Sequence, residues 1–118
     1  MNFELSLGTN PLGIELREPA SPGAALVIAI SGEIDRANCA EVTRAVTQTI
    51  QAKAPEYISL DLDQVTFLDS AGIRTLLICR DNARQHGSEL DIGRAHPHVL
   101  QVLTITGLLE EFNLPPTT

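Results

Sequence analysis

Hydrophobic spacing alternates along the chain between a period of two and a period near 3.6. Ala24 to Ser31 is a near-continuous apolar run, the pattern of a central strand covered on both faces, or on one face and by neighbours. Gly32-Glu33-Ile34-Asp35 ends it. From Ala37 to Lys53, Cys39, Val42, Val46 and Ile50 recur at helical spacing, with Glu41, Arg44, Thr47, Gln48 and Gln51 on the other side. Asn38 and Glu41 have capping-box spacing, and Pro55 stops this helix. Tyr57 to Leu62 then alternates with period two, Val65 to Leu68 continues as apolar strand, and Ile73, Leu76, Leu77 and Ala83 fall on one side of a second helix. Gly87 is its C-terminal cap, and Glu89 to Ile92 reads as another strand. Val99, Leu100, Val102, Leu103 and Ile105 open a last helix, interrupted at Thr106-Gly107 before Leu108, Leu109 and Phe112 close it. Pro115-Pro116 ends ordered structure. At the start, Phe3, Leu5 and Leu7 alternate with polar neighbours ahead of Gly8-Thr9-Asn10-Pro11, which predicts a short edge strand and a turn. Ile14 and Leu16 predict a second short strand before the loop Pro19 to Gly23.

Strand and helix in strict succession call for parallel strands joined by right-handed crossovers, with the opening strand antiparallel at an edge. Sites in such sheets form beyond the carboxyl ends of the strands. Asp35 and the pair Asp69-Ser70 both occupy that position, each just after its own strand. If the two strands are neighbours, about 4.8 Å apart, the two acids and the serine share one small surface. Asp69 and Ser70 fall at the N-cap or first turn of the second helix, where free backbone N–H groups and the positive dipole end tolerate a phosphate on Ser70. Gly72, without a side chain, leaves room for another molecule to approach. The plainer reading is that Ser70 only caps its helix and Asp35 only caps its own loop.

Composition narrows the function classes. A chain of 118 residues is one domain by length and can bury roughly two thirds of its unfolded surface, without a disulfide or cofactor. With 43% hydrophobic residues, three Phe, one Tyr and no Trp, its core is aliphatic. A net charge of -7, with eight Lys and Arg scattered along the chain, argues against nucleic acid. Cys39 and Cys79 lack a C-x-x-C pair and read as buried, reduced thiols. The first nine residues do not resemble a signal peptide, and the longest apolar run is too short to cross a bilayer, so a soluble cytoplasmic protein without membrane contact is expected. Catalysis is not expected: Leu68 stands where a nucleophile elbow needs glycine, Asp69 disfavours an activated Ser70 alkoxide, and no G-x-x-x-x-G-K pattern exists. His96 and His98 have metal-like spacing but no third ligand. Asp61 and Asp63 read as solvated residues at a strand end. Arg80 falls within the apolar arc of its helix, its stem packed and its head in solvent, with no role assigned.

Ile30 to Asp35, Val65 to Ile73 and Val102 to Leu108 resemble the three signatures of the STAS domain, the anti-sigma-factor antagonist family. The likeness spans roughly residue 24 to the C-terminus, in the family's order and spacing. It implies a single α/β domain over residues 1–118, with a core of about 24–114 preceded by an edge strand and loop over 1–23. It also implies a mixed, mostly parallel sheet of four to five strands with helices packed mainly on one face. In the family the serine after the aspartate of D-S-x-G is phosphorylated by a partner kinase that is itself the anti-sigma factor, a position that falls here on Ser70. The family's acidic residue at the kinase-facing end of the earlier strand falls on Asp35. This chain departs in having Arg36-Ala37 after Asp35, Arg74 where a small residue is frequent, and a longer start over Thr9 to Gly23. The resemblance thus implies a docking surface of Asp35, Asp69, Ser70, Ala71, Gly72 and Arg74, to which the helical wheel adds Ile78, pointing away from the Ile73, Leu76 and Leu77 stripe and close to Ala71. Its implied partners are an ATP-binding anti-sigma serine kinase and a serine phosphatase acting on phospho-Ser70. No cofactor, metal, nucleic acid or membrane enters. The alternative is a STAS scaffold subunit of a stress-signalling or lipid-transport complex that binds without a phosphorylation cycle.

Overall fold

The computed structural model describes residues 12–114. Its elements run β1 (Gly13–Arg17), β2 (Leu26–Ile34), α1 (Cys39–Lys53), β3 (Tyr57–Leu68), α2 (Ser70–Gln85), β4 (Glu89–Ala95), α3 (Pro97–Ile105) and a 3-10 turn, Glu110–Phe112. The four strands lie side by side in chain order. β1 is antiparallel to β2, and β2, β3 and β4 are parallel. The mixed, mostly parallel α/β sheet is therefore as expected, and Ile14 and Leu16 do sit in an edge strand. The strand expected over Phe3 to Leu7 lies outside the described residues.

Alternation decides which face is covered. Leu26, Ile28 and Ile30 of β2, Ile58, Leu60 and Leu62 of β3, and Leu90 and Ile92 of β4 are all buried. They join one cluster with Val42, Val46 and Ile50 of α1, Leu76, Cys79 and Ala83 of α2, and Val99 and Leu103 of α3. β2, β3 and β4 thus each bury one set of alternate side chains beneath the helices, while Ile14 and Leu16 of the edge strand β1 stay exposed. The opposite face is open: Gly13, Glu15, Arg17, Ala29, Ser31, Asp61, Gln64 and Arg94 are among the residues lining a concavity of about 510 Å³.

Several local expectations change. Gly32 does not end β2, which runs on to Ile34. The register against β3 shifts on either side of Gly32, whose φ of 104° is open to glycine, so the residue forms a bulge that re-aims the strand end. Asn38 makes no capping box. Its Nδ2 donates to Glu33 O at 2.7 Å and its Oδ1 accepts from Asp35 N at 2.9 Å, so the side chain ties the loop back to β2. Cys39 is only half-buried, because it opens α1 at the rim of the sheet. Cys79 is buried, and that burial pushes its thiol up to about 12 despite a hydrogen bond with Thr43.

Two charged residues also depart from expectation. Asp61 is not solvated at a strand end; it lies inside β3 and is 8% exposed. Its Oδ2 accepts from Arg94 Nη2 at 2.8 Å and Arg17 Nη1 at 3.3 Å, and its Oδ1 accepts from Asp63 N at 3.1 Å. One carboxylate thereby links β1, β3 and β4 across the open face. Burial pushes this carboxyl up, but the Arg94 hydrogen bond, the Asp63 N–H and the two guanidinium charges outweigh it and hold it below its ordinary value. Arg80 is largely covered, its side chain 15% exposed. It donates to Glu111 O at 3.0 Å, pairs with the Glu111 carboxylate and stands 5.7 Å from the Phe112 ring centroid, pinning the 3-10 turn to α2. Through that hydrogen bond and its charge, Arg80 also holds the Glu111 carboxyl below its ordinary value.

Candidate functional site

β2 and β3 end together. Ile34 is opposite Leu68 in the register, so Asp35 and Asp69 leave the sheet at one rim. Asp69 N donates to Ile34 O at 3.3 Å, which continues the strand pairing into the turn. With φ -94° and ψ -174°, Asp69 is extended and acts as the N-cap of α2. Its Oδ1 accepts from Gly72 N at 2.9 Å and its Oδ2 from Arg36 N at 3.3 Å. Each carboxylate oxygen thus holds a different segment, one the first turn of α2 and the other the loop after β2. Asp35 does the same work locally, its Oδ1 accepting from Ala37 N at 2.9 Å and Asn38 N at 3.3 Å. Both acids are caps, and together they rigidify the rim.

Ser70 is the first helical residue of α2 and is exposed. Arg74 and Ile78 follow at intervals of four residues and are also exposed, Ile78 by 41%. Ser70, Arg74 and Ile78 therefore form one outward stripe along α2, while Leu76, Cys79 and Ala83 point into the core. Ala71, beside the stripe, is half-buried. At 1.5 Å per residue Ile78 lies about 12 Å along the helix from Ser70, so it is two turns up the stripe and not at the serine itself.

Gly72 does not offer an approach to another molecule. It is buried, and a Cβ placed on it would meet Leu68 Cδ1 at 2.6 Å and Ile34 O at 2.9 Å. The missing side chain makes room for the chain's own strand ends, letting α2 begin directly over them. Gly72 therefore belongs to the construction of the rim and not to its outer surface.

Phe67 was not singled out by the sequence pattern, although it is 48% exposed two residues before Asp69 and opposite Glu33 of β2. With Leu68 buried beside it, the period of two already turns Phe67 outward. In the sequence Arg36 marks only a change of charge; in the fold its backbone link to Asp69 joins the two strand ends. His96 and His98 are occupied at the start of α3: His96 Nδ1 accepts from His98 N at 3.1 Å, and His98 Nδ1 is 3.4 Å from Thr66 O. Among the described residues no group of three or more His, Cys, Asp or Glu is placed to hold a metal ion. No helix among them is long and apolar enough to cross a membrane. An exposed hydroxyl on a braced acidic rim, with a helical stripe rising from it, suits contact with another macromolecule.

The chain is 29% identical over 85 residues, 72% of its own length and 73% of the relative's, to the anti-sigma F factor antagonist of Paenibacillus polymyxa. Its fold is similar to the crystal structure of an anti-sigma factor antagonist from Mycobacterium paratuberculosis, with TM-score 0.74 and 23% identity over 92% of this chain and 91% of that one. It is also similar to the anti-sigma factor antagonist SpoIIAA in its unphosphorylated form, with TM-score 0.68 and 20% identity over 90% and 89% of the two chains. The sequence profile described as STAS domain matches residues 15–118, nearly the whole length, and the chain belongs to the STAS domain family.

Proposed function

We propose that this protein is an anti-sigma-factor antagonist whose unmodified form docks on an anti-sigma serine kinase, displacing the sigma factor, and whose phosphorylation at Ser70 ends that contact. The observation that carries this reading is the exposure of Ser70 on a rim already braced by both carboxylate oxygens of Asp69. A group added to Ser70 meets solvent or partner and leaves the core alone. The relatives' descriptions supply the class of partner: an anti-sigma factor. Asp35, Ala71, Arg74 and Ile78 complete the proposed contact face around Ser70 and Asp69, with the exposed Phe67 beside it.

In the kinase step Ser70 Oγ attacks the γ-phosphorus of ATP. An Oγ–P bond forms, the bond from that phosphorus to the β,γ-bridging oxygen breaks, ADP leaves, and the hydroxyl proton passes to a base of the kinase. A serine phosphatase reverses the result by hydrolysis, restoring the hydroxyl and releasing inorganic phosphate. The modification adds about -1.5 to -2 charges beside Asp69 and Asp35. Against an acidic group of the partner at about 4 Å, each unit pair is unfavourable by ~1 kcal/mol in water and ~4 kcal/mol at an effective dielectric of 20. Since ~1.4 kcal/mol is tenfold in affinity, each such pair lowers binding by about one to three decades.

The test is incubation with ATP and the serine kinases encoded near the gene, read by intact mass for wild type and Ser70→Ala, followed by pull-down of the kinase. A single added phosphate on wild type, none on Ser70→Ala, and loss of binding after modification are expected. Full binding by the phosphorylated protein refutes the switch, and no phosphate with any of these kinases favours a scaffold that binds constitutively.

A further inference from the structure

The rim carries two cations that the fold leaves unused. Arg17, Lys53, Arg80 and Arg94 all take part in ion pairs. Arg36, Arg44, Arg74 and Arg84 make none among the described residues, and all four are exposed. What sets Arg36 and Arg74 apart from Arg44 and Arg84 is their place, one at each of the two strand ends that meet at the rim beside Ser70. Arg74 is four residues beyond Ser70 on α2, the spacing at which two helical side chains meet. Arg36 follows the other strand end, with its backbone N–H held 3.3 Å from Oδ2 of Asp69, the residue preceding Ser70, which puts Ser70 within the span of a long side chain. The serine therefore has one arginine a turn along its own helix and another on the adjoining loop after β2. Asp35 and Asp69 are also close, but their Oδ1 atoms accept two backbone N–H groups and one respectively, and Asp69 Oδ2 accepts another.

We propose that Arg74 and Arg36 are the receivers of the phosphate on Ser70, so that modification draws both side chains onto the protein's own surface. This inference rests on the reading of Ser70 as the modified residue. It changes what the switch does. Before modification the partner meets two unpaired cations near a hydroxyl; afterwards it meets a phosphate with those cations already engaged. A guanidinium fork matches phosphate oxygens and forms charge-assisted hydrogen bonds with them. The partner thus loses any contact it made to Arg36 or Arg74 in the same event that introduces repulsion.

The test installs phosphoserine at position 70 of the full chain during translation, so that no kinase is needed, and follows the second phosphate ionisation by phosphorus NMR at low salt. The ionisation midpoint of the wild-type chain is expected to lie about half a pH unit below that of the Arg36→Gln/Arg74→Gln double variant, with each single variant between them. Arg74→Lys should retain most of the Arg74 share, and added salt should shrink the difference. The helix end acts equally on all these variants, so the difference isolates the guanidiniums. Circular dichroism confirms that each variant is folded, as expected for exposed positions. Midpoints agreeing within about a tenth of a unit between wild type and double variant overturn the proposal. That outcome is distinct from failure of the phosphorylation reading, which appears as the absence of kinase-dependent phosphate on a chain whose installed phosphoserine still shows the arginine effect.

Discussion

Replacing Gly72 with alanine puts one methyl group into the tightest point beneath the proposed docking rim. Its Cβ would lie 2.6 Å from Leu68 Cδ1 and 2.9 Å from Ile34 O. The leucine methyl can rotate away, but the carbonyl belongs to the end of β2 and accepts Asp69 N at 3.3 Å. Relief therefore requires α2 to lift from the sheet, which strains both that bond and the one from Gly72 N to Asp69 Oδ1. Overpacking of this kind costs about 1–3 kcal/mol, and weakening the cap adds up to ~1 kcal/mol. Alanine's better helix propensity returns at most ~1 kcal/mol. The net expectation is a loss of about 2 kcal/mol. With a urea m-value of about 1.5 kcal/mol per molar, the midpoint falls by roughly 1.3 M. Equilibrium urea unfolding followed by circular dichroism measures it. An unchanged or higher midpoint would show that the space at Gly72 opens outward, as sequence alone had suggested, and would return this residue to the contact surface.

Other positions give independent checks. Asp61→Asn should destabilise by about 1 kcal/mol at pH 7, a figure kept low because both guanidiniums are partly in solvent. Because the folded carboxyl lies below its unfolded value of about 3.9, its contribution is complete above that pH and is lost as pH falls through the folded value. The gap between wild type and Asp61→Asn in urea should accordingly narrow at pH 3, and an equal gap at both pH values would contradict the assignment. Ala54 closes α1 in the left-handed region at φ 44°, so Ala54→Gly should stabilise by about 0.5–1 kcal/mol; a lower melting temperature would argue against that conformation. Alkylation of the folded protein at pH 8 should label Cys39 before Cys79, whose buried thiol is pushed up to about 12. Equal rates without denaturant would show that α1 and α2 do not seal it.

What was legible in the sequence was whatever repeats locally. The spacing of Val42, Val46 and Ile50, and the passage from Leu60 and Leu62 through Leu68 to Leu76, prescribe a helix, a strand and a second helix from residues within a turn or two of one another. Asp35 and Asp69 could be placed on one rim because each follows an apolar strand and the sheet keeps chain order. Asp61 could not be read that way. Its partners lie 44 and 33 residues away, and alternation marks only which face it occupies. Gly72 misled for a related reason: a missing side chain signals a close approach, but sequence does not say whether the approaching group comes from the same fold or from another molecule. Asn38 had the right spacing for a capping box, yet the Oδ1 that a cap would use accepts from Asp35 N while Nδ2 donates to Glu33 O, so the side chain is turned back to the strand end.

These local outcomes bear on how a charge switch can operate without unfolding the domain. A phosphate on a residue whose hydroxyl supported the helix start would have to replace that support, and modification would then change stability and binding together. Here the support comes from Asp69, which holds Gly72 N and Arg36 N with separate oxygens. Ser70 stands next to this brace and exposed. Division of labour between adjacent residues thus separates the two consequences: Asp69→Ala should lose about 1 kcal/mol of stability through the cap, whereas Ser70→Ala should leave the urea midpoint unchanged within about 0.5 kcal/mol. A loss at Ser70→Ala as large as that at Asp69→Ala would mean that the hydroxyl helps hold the rim together, and the modification would then have to act partly by loosening the fold.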